Sequence, residues 1–216
     1  MRIDKRLHLV MPLYEDSSDI SPVIAYVHSV PLSEAVVDRY FMVLGKTFNA
    51  IFAQGLGFAA GPGHAMRILR HIAEETGVWH DREGVTGVER GLVAEIHRLT
   101  NIAAIDNNGN WNALPLQVAL DQGIISSEDK REVENAIAFF IATCATLNRA
   151  QREGVLQTVG EIWGAQITLL DFTGWLNSLK TSTVTVNSGK KSPAVVIEKP
   201  APANATVDGK PSSIPV

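Results

Sequence analysis

The chain is poor in cysteine, with Cys144 alone among its 216 residues. An internal disulfide and a zinc cluster built from cysteines are therefore excluded. Cys144 stands in the apolar run Ala142–Ala145, where nothing would lower the pKa of its thiol. This setting is typical of a small buried side chain rather than of a reactive nucleophile.

Long apolar and long basic runs are also missing. The longest apolar stretch, Ala136–Leu147, is interrupted by threonines and is far shorter than the roughly 20 residues that cross a bilayer. Met1–Lys5 is charged and is not followed by an apolar segment, so no signal peptide is expected. The formal net charge is −4, without a basic stripe. We therefore expect a cytosolic globular protein with neither a nucleic-acid nor a membrane partner.

Catalytic signatures are scarce as well. Gly55–Gly57 and Gly61–Gly63 superficially suggest a phosphate-binding loop, but a predicted helix precedes them and no Gly-Lys-Ser/Thr follows. Because no Gly-x-Ser-x-Gly exists, a hydrolase triad has no support either. The sequence predicts no enzyme, and no catalytic or cofactor-binding residue.

Histidines near one predicted helix leave a metal site open as an alternative. His64, His71 and Glu74 are its candidate ligands. The spacing lacks His-Glu-x-x-His, and Arg67 and Arg70 on the same helix would repel a cation. A solvated helix face is the favoured interpretation, no metal ligand is assigned, and a small metal-dependent enzyme is kept as the alternative.

Two patterns of periodicity define the predicted fold. Arg6–Met11 and Val23–Val30 are rich in β-branched and aromatic residues, which predicts a small antiparallel hairpin that must pack on other elements. A helical period of apolar residues then recurs through most of the remaining chain. The predicted helices cover residues 33–54, 61–77, 86–102, 115–123, 128–149, 155–163 and 168–179, with a loop at Asp106–Asn110.

The expected fold is therefore mainly α: a helical bundle-like domain with a small N-terminal β-hairpin and a flexible C-terminal tail. Residues 1–32 form the hairpin segment, residues 33–180 the helical domain and residues 181–216 the tail. The tail is assigned by composition, since after Asn187 it contains proline, alanine, serine, lysine and valine without periodicity.

Three aromatic residues are the candidates for contact with a partner protein. Tyr40 and Phe41 follow each other in the first predicted helix, and Trp111 stands in the loop after Gly109. Tyr40 and Phe41 can equally belong to the core, and burial is the favoured role for Trp111, because an aromatic side chain also packs inward.

The order of these segments resembles the tail assembly chaperones of long-tailed bacteriophages, over about Arg6 to Ser182. The similarity is carried by segments that are structural rather than catalytic. These segments are Tyr26–Ser33, the helix through Tyr40–Phe41, Gly91–Asn101 and Val133–Phe140.

The resemblance implies a helical protein without catalytic residues that acts in the host cytoplasm and is absent from the mature virion. Its expected partners are the tape measure protein, which it keeps soluble, and the tail tube protein, which it helps recruit; self-association is a further expectation. Many such genes make a longer product by ribosomal frameshifting, and the Gly-Lys pairs at 189–190 and 209–210 fit a slippery site. A structural virion component, such as a connector or minor tail protein, is the alternative.

Overall fold

A five-stranded antiparallel sheet lies at the centre of the computed structural model, which describes residues 8–15, 23–106 and 109–179. The strands follow the order β4-β3-β2-β1-β5, so consecutive strands are neighbours except for β5, which returns to pair with β1. The strands are β1 His8–Tyr14, β2 Val23–Ser29, β3 Thr100–Ile105, β4 Trp111–Pro115 and β5 Gln166–Thr168.

Helices fill the connections from β2 to β3 and from β4 to β5, and one more helix follows β5. A 3₁₀ turn, Gly61–Gly63, joins the second helix to the third, and a π turn, Glu89–Val93, leads into the fourth. The helices are α1 Glu34–Ala53, α2 Gly57–Ala60, α3 Ala65–Glu75, α4 Ala94–Arg98, α5 Leu116–Asp121, α6 Ser127–Thr146, α7 Arg149–Trp163 and α8 Phe172–Ser178.

Alternation along the strands gives the sheet two buried faces. Leu9, Val27 and Ile102 point into a large core that they share with α1, α3, α6 and α7. Val10 and Tyr26 point to the opposite side, where they meet a smaller cluster built around α8. Because successive side chains of a strand point to opposite sides, two separate apolar layers are possible on one sheet.

Local signals explain α6, the central helix of the large core. The Ser126 hydroxyl accepts a hydrogen bond from the Asp129 backbone N–H at 3.1 Å, and Asp129 Oδ2 accepts one from the Ser126 N–H at 2.7 Å. This capping box satisfies two backbone donors that the first turn leaves free. The predicted α6 is confirmed, although it ends at Thr146 and a second capping box at Asn148 starts α7 earlier than predicted.

The prediction of a mainly α bundle is wrong, because the protein has a mixed fold around a five-stranded sheet. The predicted helix over residues 86–102 ends at Arg98, and Thr100–Ile105 is a strand between β2 and β4. Leu99 and Ile102 continue a helical period by coincidence, whereas pairing with β2 satisfies the backbone of the whole segment. The predicted hairpin strands do pair, but they are two of five.

Other predictions lie outside the described residues. These are the flexible tail at residues 181–216, the Gly-Lys pairs at 189–190 and 209–210, and the start of the first predicted strand at Arg6. They stay predictions, and so do the domain limits drawn from composition.

Candidate partner-binding surface

Tyr40 lies inside the protein, where its ring packs in the large core and its hydroxyl is hydrogen-bonded. Its ring is buried, and its hydroxyl donates to the Thr86 and Gly87 carbonyl oxygens at 3.1 and 3.2 Å. Gly91 passes so close to the Tyr40 ring that a Cβ at this position would collide with the phenol. Tyr40 therefore ties α1 to the segment before the π turn, and its hydroxyl is already satisfied by the protein.

Phe41, the next residue, lies on the outside of α1. Its side chain is 45% exposed, and that of Met42 beside it is 68% exposed. Positions 41, 45, 48 and 52 lie on one side of the helix, because residues three or four apart are neighbours on a helix. Gly45 opens this side, since a Cβ there would meet nothing within 4 Å.

Two more phenylalanines continue the same side toward α2. The Phe48 and Phe52 ring centroids lie 4.7 Å apart, and the Phe52 and Phe58 centroids lie 5.0 Å apart. All three side chains are half-buried against the large core. We call Phe41, Met42, Phe48, Phe52 and Phe58 the α1 aromatic row, an apolar surface that is anchored in the core and open at the Phe41 end.

Trp111 belongs to the opposite side of the sheet. It is the first residue of β4, an edge strand, and it is half-buried. Its ring lies 5.7 Å from that of Tyr26, which in turn contacts Trp175 of α8 at 5.3 Å. The structure therefore does not bring Trp111 together with Phe41, because the sheet lies between them.

The histidine candidates for a metal site face solvent and have other neighbours. His64 Nδ1 lies 3.0 Å from the Ala60 carbonyl oxygen, and the Arg70 guanidinium donates to Glu74 at 2.7 Å. His71 lies 3.7 Å from Glu75 in a pair whose side chains are both well exposed. Within residues 8–15, 23–106 and 109–179, no three His, Cys, Asp or Glu side chains form a group that could hold a metal ion.

Cys144 is buried in α6, as its apolar surroundings predict. Burial raises the pKa of its thiol to about 12, against the smaller opposing effect of Arg152. The thiolate is therefore a negligible fraction at neutral pH, which is the opposite of what a nucleophile needs.

A pair of buried histidines was not singled out from the sequence. His8 and His28 stand on neighbouring strands with ring centroids 5.0 Å apart, and Phe172 and Trp175 of α8 cover His28. Both side chains have a buried Nδ1 without a hydrogen-bond partner. The register places Val10 opposite His28, and this puts the His8 and His28 imidazoles on the same face of the sheet. The alternation of side chains along each strand predicts this only once the pairing of the two strands is known.

Of the three candidates from the sequence, Phe41 has an exposed side chain, whereas Tyr40 is buried and Trp111 is half-buried. Among the described residues, no helix combines the length and apolar character that a bilayer span requires. Compared with protein-family models, curated proteins and solved structures, the chain matches none of them.

Proposed function

We propose that this chain is a protein-binding chaperone of phage tail assembly. In this proposal it holds the tape measure protein soluble in the host cytoplasm, helps recruit tail tube subunits, and is left out of the finished virion. The client and the setting come from the resemblance of the segments named above. The binding surface comes from the α1 aromatic row.

The exposure of Phe41 and Met42 is the observation that carries the proposal. Two large apolar side chains stand next to each other in water, with the half-buried Phe48, Phe52 and Phe58 beyond them. Burial of such a surface by a partner is favourable in proportion to the apolar area removed from water. A helical client that presents apolar residues at a spacing of three and four would cover it.

The chemistry of this row suits a client that binds in several registers. Methionine is flexible and polarisable, and phenylalanine rings accept apolar groups of many shapes. Contacts of this kind tolerate different sequences better than a set of directed hydrogen bonds does. Because burial of apolar surface drives the association, binding should survive moderate salt concentrations at which an electrostatic complex would dissociate.

Co-expression with the tape measure protein tests the proposal. We expect the client to be insoluble alone and soluble with this chain. The complex should survive about 0.5 M salt, a concentration at which interactions between exposed charges are largely screened. Client solubility that is the same with and without the chain would show that it is no chaperone of this protein. Recovery of the chain from purified particles would favour the structural virion component instead.

A matched pair of variants then tests the surface. Phe41→Ser with Met42→Ser should abolish solubilisation, because it removes the open end of the row, where both side chains are exposed. Leu169→Ser is the control, since Leu169 is 63% exposed but lies between β5 and α8. If the double variant still solubilises the client as Leu169→Ser does, the α1 aromatic row is not the binding surface.

A further inference from the structure

Gly45 lies in the interior of α1, although glycine is among the least favourable residues there. A glycine in a helix loses more backbone freedom on folding than alanine does, so it lowers the stability of the helix. The fold itself shows no reason for this residue. Gly45 has no positive φ, and a Cβ at this position would meet nothing within 4 Å, so no close packing in the described structure requires a glycine here.

The two glycines inside α7 provide a comparison. At Gly160 the fold requires a glycine, because a Cβ there would lie 2.7 Å from the Ala165 carbonyl oxygen. Gly154, like Gly45, has open space around it. However, the residues three and four positions from Gly154 are alanine, glutamine and threonine, none of which is a large apolar side chain. Gly45 therefore differs from both, since it is dispensable for the fold and stands among aromatic residues.

The α1 aromatic row borders the open space at Gly45. When two helices pack, a large side chain of one inserts into a hole between four residues of the other, spaced i, i+3, i+4 and i+7. Gly45 is the shared corner of two such holes on the outside of α1. Because glycine has no side chain, nothing separates the two holes, and they form one depression with apolar walls. The first hole also contains Asp38, Phe41 and Met42, and the second contains Phe48, Asn49 and Phe52.

The surface of α1 favours a helix as the element that fills this depression. The backbone groups of α1 are hydrogen-bonded within the helix, so an added strand would find no free backbone edge and a partner must bind through side chains. Two helices approach each other as closely as the side chains at their crossing allow, and glycine allows the closest approach. The exposed charges beside the depression, on Asp38, Arg39 and Lys46, are of both signs. An uncharged apolar side chain therefore suits it best.

We propose that Gly45 is the specificity-determining residue of the α1 aromatic row. It leaves the space into which one large aliphatic or aromatic side chain of a client helix inserts, between Phe41 and Phe48. This inference rests on the proposed binding of a helical client and adds the point at which the two helices approach most closely. The lower stability of α1 is then the consequence of a requirement for binding.

Opposite changes in stability and in binding test this role. Gly45→Ala should raise the melting temperature of the full-length chain by about 2–4 °C, because alanine is the better helix former. The same variant should lower the amount of soluble tape measure protein recovered on co-expression about threefold, since its methyl group narrows the depression. Gly45→Leu fills the depression and should lower the recovery at least tenfold, while circular dichroism shows an intact helical fold.

Gly154→Ala and Gly154→Leu are the matched controls, because Gly154 has the same open space in the interior of another helix. Gly154→Ala should raise the melting temperature by a similar amount, and both controls should leave the recovery of the client unchanged. Full recovery with Gly45→Leu, or an equal loss with Gly154→Leu, would overturn the role of Gly45 while the client-binding proposal stands. A wild-type chain that does not solubilise the client would overturn both proposals.

Discussion

The two faces of the sheet are covered in different ways. The face toward α1, α3, α6 and α7 forms a continuous core of aliphatic and aromatic side chains, with Phe139, Leu44 and Ile137 fully buried at its centre. The other face carries α8 alone among the described helices, and its cluster is built on Val10, Tyr26, Ala103 and Trp175, with His8 and His28 at its border. A face covered by several helices opens only when the domain unfolds, whereas a seven-residue helix can detach by itself.

The largest effect is expected from Phe140→Ala, on the broad face. Phe140 is buried between α6 and β1, so the substitution leaves a cavity and should lower the free energy of unfolding by about 3–5 kcal/mol. Chemical denaturation measures this loss. Phe41→Ala removes the same atoms from a position that is 45% exposed and should lower the free energy of unfolding by only about 1 kcal/mol. Equal losses in both variants would mean that the core is not centred on α6.

A smaller and more local effect is expected from Trp175→Ala, on the narrow face. Trp175 contacts Tyr26, His28 and Phe172, and truncating a buried tryptophan costs about 3–5 kcal/mol. Because α8 can detach by itself, most of this loss should appear as local opening of α8 and only a smaller part as a lower free energy of global unfolding. Hydrogen exchange should show lost protection in Phe172–Ser178, while α6 keeps its slow amides. An equal loss of protection in α6 would show that the two faces unfold as one unit.

The N-cap residues of α6 and α8 allow the stability of the two faces to be compared, because both caps accept a hydrogen bond from a backbone N–H of the first turn. Asp171 Oδ1 accepts from the Gly174 N–H at 2.7 Å at the start of α8, as the Ser126 hydroxyl does at the start of α6. Replacing either cap by alanine should cost about 1 kcal/mol. Ser126→Ala should lower the denaturation midpoint, whereas Asp171→Ala should only speed amide exchange in α8. A lower midpoint in both would make α8 part of the global unfolding unit.

The smallest effect is expected from mild acidification. Burial lowers the pKa of His28 and of His8 below the ordinary value of 6.5, with Asp171 opposing this shift in both. The unfolded chain therefore takes up protons first as the pH falls below about 6.5, and stability decreases from there toward the lower folded pKa values. Amide exchange should accelerate in α8 before α6 between about pH 7 and pH 5.

Two histidine variants separate this effect from other titrations. His28→Phe keeps an aromatic ring under Phe172 and Trp175 but cannot bind a proton, so the dependence of α8 on pH should weaken. His71→Gln removes an exposed histidine on α3 and should leave the pH dependence of amide exchange in α8 unchanged. If His71→Gln has the larger effect, the His8–His28 pair is not the sensor.

The partner-contact candidates show where sequence reasoning reaches its limit. Tyr40 and Phe41 are adjacent aromatic residues on one amphipathic helix, and from the sequence both are equally good candidates for contact with a partner protein. The segment Thr86–Gly87 decided between them, because its carbonyl oxygens lie where the Tyr40 hydroxyl can donate to them. The His8–His28 pair was beyond reach for the same reason, since the two imidazoles meet only through the pairing of β1 with β2.

Signals confined to a few neighbouring residues determined much of the secondary structure. The Ser126–Asp129 capping box and Gly77 with its positive φ at the end of α3 could both be read from the sequence. Each depends on local backbone hydrogen bonds or on the conformational freedom of glycine, which adjacent residues control.

Tertiary structure alone decided that the protein is built on a sheet. Thr100–Ile105 has a helical spacing of apolar residues and becomes β3 because Thr100 pairs with Ser29 and Ala104 with Ala25, residues about 70 to 80 positions away. β5 has three residues and exists only through its pairing with β1. Strand pairing satisfies backbone groups across such distances, and no local period records it.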